Sequence, residues 1–439
     1  MSTVTGSKMT TTRPGEKKRS SAGRAAQNVG RVLLLIIGSL IVTIAMLPVI
    51  LLPLTTSVPW YGWLALGLVG AGLVFVLVTR AATLPYKLLI VAAIVGVSVL
   101  AVVLSQWFAS TPSIVDANGR PVPGSIAALE QVELNGSQQW ISIRGHDQTK
   151  PVLLFLAGGP GGSQLAATRK LLGELEQHFV VVNWEQPGAG KSYRAVDVAD
   201  LTPERYIDDG LALTRYLRQR FAQEKIYILG ESWGTVLGVW MVQRAPDMYH
   251  AFAGAAQMVD FLETDLYDYN LALRLSFESG NFNKVAALKK QGPPPYYGDG
   301  VARKFSEYVL VLSQYMMSDP AITGPGYDTF GDIAADEYGL YDKFNYAWGL
   351  LATLDAVYWQ LWDVDLREQA PRLDVPVYFL EGRHDVNAPP ALAEDYLQKL
   401  AAPHKELIWF EHSGHSPWVD EADKVVDVMV NKVLAGATP

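Results

Sequence analysis

Ile226-Tyr-Ile-Leu-Gly-Glu-Ser-Trp-Gly-Thr235 is the stretch from which the fold follows. Its first four residues are an apolar run of strand length, and the residues after Trp233 read as a helix. Between them lies Gly230-Glu231-Ser232-Trp233-Gly234, a G-x-S-x-G motif. A serine at a sharp strand-to-helix turn sits on strained backbone, and neighbouring side chains would collide there, hence the two glycines. The motif alone arises by chance in many chains. Flanked by a strand and a helix, it predicts a chemically usable hydroxyl at Ser232.

Short apolar runs alternate with amphipathic stretches on both sides of this turn. Val152–Leu156, Phe179–Trp184, Ile226–Leu229, Ala251–Ala255, Val375–Leu380 and Glu406–Phe410 read as strands, and helices are expected near 164–177, 203–221 and 421–434. Apolar strands separated by helices predict a parallel sheet covered on both faces. Ahead of them, residues 125–144 alternate in polarity and read as an antiparallel hairpin turning at Asn135-Gly136. The alternation of strands and helices stops between 259 and 372. That region is helical and aromatic-rich, is broken by Gln291-Gly-Pro-Pro-Pro-Tyr-Tyr297, and is expected to be an inserted lid. The sheet domain is therefore expected to comprise residues 125–258 and 373–439.

A serine alcohol is a weak nucleophile unless a base takes its proton, and the base must be held in one tautomer by a carboxylate. In open α/β sheets, groups that act on a ligand lie just beyond the carboxyl ends of strands. Gly382-Arg383-His384-Asp385 follows one predicted strand and Ser413-Gly414-His415-Ser416-Pro417 another, so Asp385 is the candidate acid and His415 the candidate base. His384 reads as a loop residue beside the acid. Ala157-Gly158-Gly159-Pro160-Gly161-Gly162 follows the strand Val152–Leu156. A glycine-rich turn there and the residue after the nucleophile would offer backbone N–H groups to a developing oxyanion, which selects Gly159 and Trp233. Gly188-Ala-Gly-Lys-Ser192 looks like the end of a phosphate-binding loop, but Glu185 stands where that loop requires glycine, so nucleotide binding is not expected. The chain has no cysteine, which removes thiol nucleophiles, disulfides and cysteine-ligated metals. No cofactor or metal is expected.

Toward the amino terminus, Val32–Leu54, Trp60–Thr79 and Leu88–Phe108 each lack any charged residue over about the 20 residues needed to cross a bilayer. The first run is too long for a signal-peptide core, and two more follow. Lys8, Arg13, Lys17, Lys18, Arg19, Arg24 and Arg31 precede the first, and Arg80 and Lys87 separate the second from the third, whereas Thr55–Pro59 carries no charge. Positive charge marks the cytoplasmic side, so the tail is expected inside and everything after the third span outside the cytoplasm. Trp60, Tyr61, Trp63, Trp107 and Phe108 are placed at the outer interface. The resulting plan is a basic cytoplasmic tail (1–31), a three-helix transmembrane segment (32–108), a linker lifting the next domain off the bilayer (109–124), and the sheet domain with its lid. After Phe108 there are 27 basic and 43 acidic residues, a surplus that favours solubility and argues against nucleic acid, whose phosphates need a basic face.

Taken together, these motifs resemble the proline iminopeptidase branch of the α/β hydrolases, over about residues 125–435. That branch couples an H-G-G-P-G-G loop, a D-Q-R-G-x-G-x-S turn, a G-G-S-W-G elbow, a G-R-x-D acid loop and a G-H histidine loop. The resemblance implies an α/β-hydrolase fold with a helical cap, here preceded by three transmembrane helices. It assigns Ser232 as nucleophile, Asp385 as acid, His415 as base, and Gly159 with Trp233 as oxyanion donors. It also implies release of amino-terminal residues from a peptide or small-molecule substrate. Ala157, Glu185, Pro187 and Glu231 depart from the pattern. The branch holds the substrate's free amine with lid glutamates, a pattern this lid does not repeat. Gly158, Glu231 and Glu263 are carried as substrate-contact candidates, with Asp265 and Asp268 as further acids of the lid. For Glu231 the alternative is a buried structural group, and for the three lid acids it is a solvated surface. An acyl-ester hydrolase and a non-catalytic membrane sensor are the competing readings of function.

Overall fold

The computed structural model describes residues 21–80 and 83–436. Of the basic tail, Lys8, Arg13, Lys17, Lys18 and Arg19 lie outside them. The chain forms two compact units.

The first unit, drawn from residues 21–51 and 60–101, holds helices α1 (Ser21–Leu51), α2 (Trp60–Thr79) and most of α3 (Leu84–Trp107). Helix α1 begins eleven residues before the expected span because Ser21–Gln27 contains good helix formers and no breaker apart from Gly23. Ile36–Leu54, Trp60–Thr79 and Leu84–Trp107 are long and apolar enough to cross a membrane, and 11–28% of each is buried within the protein. Leu40, Leu64, Leu68 and Leu88 are among the exposed side chains, a surface suited to lipid and costly in water. Trp63 is buried, sharing the inward face of α2 with Leu66 and Gly70.

The second unit comprises residues 52–59 and 102–436. Its centre is an eight-stranded sheet in the order β1-β2-β4-β3-β5-β6-β7-β8. The strands are β1 (Ile126–Leu134), β2 (Ser137–Gly145), β3 (Val152–Leu156), β4 (Val180–Trp184), β5 (Ile226–Glu231), β6 (Tyr249–Ala255), β7 (Val377–Gly382) and β8 (Lys405–Phe410). Asn135 and Gly136 both have positive φ, the pair of dihedrals that a two-residue turn needs to match the twist of β1 and β2. Strand β2 pairs antiparallel with both β1 and β4, and the remaining pairings are parallel.

Every residue of β3, β4 and β5 is buried, so these runs are mostly apolar, with Asn183 and the terminal Glu231 as exceptions, and do not alternate regularly with polar residues. Period two still sorts them. Leu154, Leu156 and Ile228 pack with Leu213, Leu217 and Val236 of α5 (Pro203–Arg220) and α6 (Trp233–Arg244), after the short α4 (Leu165–Leu171). Leu153, Phe155 and Leu229 face the other layer, with Trp418, Val425 and Met429 from the carboxyl-terminal helices.

The cap between β6 and β7 consists of α7 (Phe261–Glu278), α8 (Phe282–Gln291), α9 (Val301–Met317), α10 (Thr329–Ile333), α11 (Leu340–Val357) and α12 (Leu366–Gln369). Helices α13 (Pro390–Lys399), α14 (Pro417–Asp420) and α15 (Ala422–Val428) complete the chain, with a wider last turn over Met429–Leu434.

The expected linker is no free spacer. Arg144 donates to Thr111 (2.8 Å) and to the Pro112 carbonyl, Thr111 donates to Glu337 (3.0 Å), and Ile114 is buried. A guanidinium reaching out of β2 holds residues 111–114 against the domain.

Candidate active site

Ser232 follows β5 and precedes α6 with φ 52° and ψ −119°, a region that residues bearing Cβ rarely occupy. Its N–H is secured on the Ala255 carbonyl of β6 at 3.0 Å. The flanking glycines are explained by distance. A Cβ on Gly234 would lie 2.1 Å from the Leu156 oxygen, and one on Gly230 would lie 2.5 Å from the Gly234 oxygen. Helix α6 thus starts hard against the end of β3, and the serine hydroxyl is lifted to the sheet's carboxyl rim.

At that rim three distant segments meet. The Ser232 Oγ lies 3.1 Å from His415 Nε2, and His415 Nδ1 lies 2.9 Å from Asp385 Oδ2. Asp385 is itself oriented by the backbone N–H groups of Asn387 and Ala388, which donate to its Oδ1 at 2.7 and 2.9 Å. His384, beside it, pairs with Asp319 at 3.0 Å. Burial favours neutral His415, but the charge and hydrogen bond of Asp385 and the charge of Glu231 outweigh it and push the imidazole up to about 9. The residue that would take the serine proton is therefore poised well above the ordinary histidine range.

Trp233 and Gly159 border the same small cavity as Ser232. As the first residue of α6, Trp233 contributes an N–H from the turn whose donors have no partner within the helix. Two glutamines, which sequence reasoning missed, set the loop around this point. Gln186 accepts from Trp233 Nε1 at 3.0 Å and donates to the Ala157 carbonyl at 3.0 Å, tying the elbow to the glycine-rich loop. Gln164 accepts from Gly158 N–H at 3.2 Å and donates to Glu231 at 3.0 Å. No motif marks either residue, because each acts through partners remote in sequence.

Glu231 is buried, held by Gln164 and by the Tyr327 hydroxyl at 3.3 Å, and burial raises its carboxyl pKa. It lies against Gly158, where a Cβ would come 2.1 Å from its Oε2. Glu185 is also buried, and accepts from Ser163, from Tyr338 (2.9 Å) and from the Lys191 N–H (2.7 Å). The lysine of the phosphate-loop-like stretch, Lys191, is paired with Asp342 at 2.7 Å.

The cap closes the cavity with Phe261, Asp268, Phe305 and Tyr358. Here the solvated-surface expectation for Asp265 and Asp268 is corrected: both are buried, because they lie three residues apart on the inward face of α7. Asp265 accepts from Tyr308 (2.5 Å) and Tyr358 (2.8 Å), and burial pushes it up to about 7 against those bonds. Asp268 has an Oδ1 with no hydrogen-bond partner among the described residues, and burial, with the charges of Asp265 and Asp385, raises its pKa well above the carboxylate range. Glu263 is not brought to the cavity. It points outward and receives Arg367 at 2.7 Å.

Comparisons with known proteins agree with this architecture. A sequence model of the alpha/beta hydrolase family matches residues 153–428. A probable aminopeptidase, YbaC, of Bacillus subtilis (strain 168) is 29% identical over 69% of this chain and 94% of its own length. A proline iminopeptidase of Lactobacillus crispatus (strain ST1) is 23% identical over 67% of this chain and 94% of its own length. The crystal structure of a proline iminopeptidase from Mycobacterium smegmatis superposes with a TM-score of 0.53 at 16% identity, covering 71% of this chain and 99% of that one.

Proposed function

The chain belongs to the alpha/beta hydrolase family, and from that premise we propose that it is a membrane-anchored serine hydrolase that releases amino-terminal residues from peptides. The contact carrying this reading is Ser232 Oγ to His415 Nε2 at 3.1 Å, continued to Asp385 at 2.9 Å. In this reading His415 takes the hydroxyl proton as Ser232 attacks a carbonyl, and Gly159 and Trp233 receive the developing oxyanion. His415 then protonates the leaving amine, and water releases the acyl group by the same steps in reverse order.

Asp268 supports a free amine as the recognised group. A buried carboxyl with an unpartnered oxygen binds a cation with little competition from water, and the ammonium in turn restores its charge. Similarity to a probable aminopeptidase over nearly its whole length points the same way. The anchor is supported by three helices of sufficient length and hydropathy. A cytoplasmic amino terminus with the hydrolase domain outside is supported by the basic residues before α1 and between α2 and α3. The uncharged loop 52–59 belongs to the same compact unit as that domain, with Ser57 donating to the Asp336 carbonyl at 3.1 Å.

The test is a substrate panel on the full chain: aminoacyl amides, their N-acetylated counterparts, and acyl esters of graded length. Free-amine amides are expected to be turned over fastest, and Asp268→Asn is expected to lower their kcat/KM by roughly 10–100-fold while sparing the acetylated set, the scale of one buried charged hydrogen bond. Turnover of esters alone would sink the peptidase reading in favour of an acyl esterase, which the aromatic walls Phe261, Phe305 and Tyr358 would also accommodate.

The acid limb of kcat/KM should lie alkaline of ordinary histidine, since His415 must be neutral to accept a proton and its pKa is raised. Glu231→Gln removes one of the charges that raise it, so the limb should move to lower pH and the rate at pH 7 should rise by roughly two- to tenfold. An unshifted limb would show that Glu231 does not act on the imidazole.

A further inference from the structure

Helix α11 buries Leu354 and Val357 at its carboxyl end but is inverted over the rest of its length. Its polar residues Asp342, Asn345 and Thr353 are buried, whereas Tyr341, Phe344, Trp348 and Leu351 are 39–69% exposed. These four recur at helical spacing and form one stripe about 15 Å long at 1.5 Å per residue. The stripe carries no charge: the helix's one cation, Lys343, turns its ammonium onto the carbonyls of Ile333 and Ala335 at 2.8 and 3.1 Å. Single exposed apolar residues are ordinary on a soluble surface, but a continuous aromatic stripe marks a face that something covers.

What covers it follows from where the helix begins. Leu340 N–H donates to Ser105 Oγ at 3.1 Å, and Gln106 donates to Asp342 at 3.3 Å. Ser105 and Gln106 are in the last turn of α3, which is long and apolar enough to cross a membrane. The next residues, Trp107 and Phe108, are 81% and 43% exposed. The stripe therefore starts at the point where a membrane-spanning helix would leave the bilayer, and it is rich in the aromatic types that favour the headgroup boundary.

We propose that the outward stripe of α11 is a bilayer-seating surface, with Phe344 and Trp348 lodged at the headgroup–acyl boundary of the membrane that α3 crosses. This inference rests on the membrane-anchored reading given above. One exposed guanidinium, Arg194, lies over the Tyr341 ring at 5.3 Å, and Phe344, Trp348 and Leu351 supply the greater part of the surface, so seating depends chiefly on apolar insertion. The consequence reaches the cavity, since the chain continues from α11 into Tyr358, one of its walls, and Thr353 of the same helix packs against the glycine-rich loop at Gly161. Substrates borne by the membrane surface would meet the cap on the helix that leads to Ser232.

The absence of cysteine makes the test direct. Single-cysteine variants F344C, W348C, L40C and E174C of the full chain are labelled with a polarity-sensitive fluorophore, reconstituted in phosphatidylcholine vesicles and checked for folding by fluorophosphonate reaction. Labels at 344 and 348 are expected to be quenched at least twofold by lipids carrying a nitroxide near the headgroup, with the label at 174 unaffected. Unquenched labels at 344 and 348 beside a quenched label at 40 would overturn the proposal and leave the anchor standing. An unquenched label at 40 as well would overturn the anchor and the proposal together. Energy transfer between copies labelled at 348, without lipid quenching, would assign the stripe to a second copy and equally overturn it.

Discussion

Ser232→Ala is expected to abolish labelling by a fluorophosphonate and to lower kcat by roughly 10⁴–10⁶, the scale seen when a member of a nucleophile–base pair is removed. The hydroxyl lies 3.1 Å from His415, within hydrogen-bond reach of a base that would activate it to form an acyl intermediate. Alanine keeps a Cβ at the same strained φ, so the fold should persist, with stability changed by no more than about 0.5 kcal/mol. Mass-spectrometric mapping of the adduct in the wild-type chain gives the complementary readout. Persistent labelling of the alanine variant, or an adduct elsewhere, would refute the nucleophile.

Gly234→Ala should be the more damaging single methyl group. Its Cβ would sit 2.1 Å from the Leu156 oxygen, 2.7 Å from the Leu156 carbon and 2.9 Å from the Ala157 oxygen, all of them backbone. No rotamer change relieves a clash with main chain, so either the end of β3 or the start of α6 must move. Both outcomes disturb the site, because the glycine-rich loop leaves β3 there and Ser232 precedes α6. A loss of about 3–5 kcal/mol is expected, in the range of severe backbone and packing defects. The measurements are thermal unfolding of the full chain in detergent or nanodiscs and fluorophosphonate reactivity of whatever remains folded. A variant with unchanged melting and labelling would show that the elbow is looser than its distances imply.

Both substitutions probe one turn whose chemistry is local in sequence. The G-x-S-x-G turn was readable because its glycines obey a local rule: strand, strained serine and helix are contiguous in the chain. The strands were readable because each is built on a short apolar run, although the ends of β5 and β7 lie a residue or two farther on, where hydrogen bonding continues past that run to Glu231 and Gly382. Glu263 and Asp268 show where such reading stops. Both are acids on one helix, and periodicity alone does not tell which face the cap presents to the sheet. The structure turns Asp268 inward to the cavity and leaves Glu263 on Arg367.

By itself the sequence determined the order of strands and helices, the parallel sheet with an inserted cap, three apolar segments of spanning length, and the chemical types placed after each strand. These depend on periodicity and on neighbours in the chain, where steric and hydrophobic rules act locally. Tertiary structure alone decided the 3.1 Å and 2.9 Å contacts among Ser232, His415 and Asp385, the roles of Gln164 and Gln186, the burial of Asp268, and the inverted exposure of α11. Each of those arises between segments far apart in sequence, and only packing determines which side chains share a low-dielectric interior.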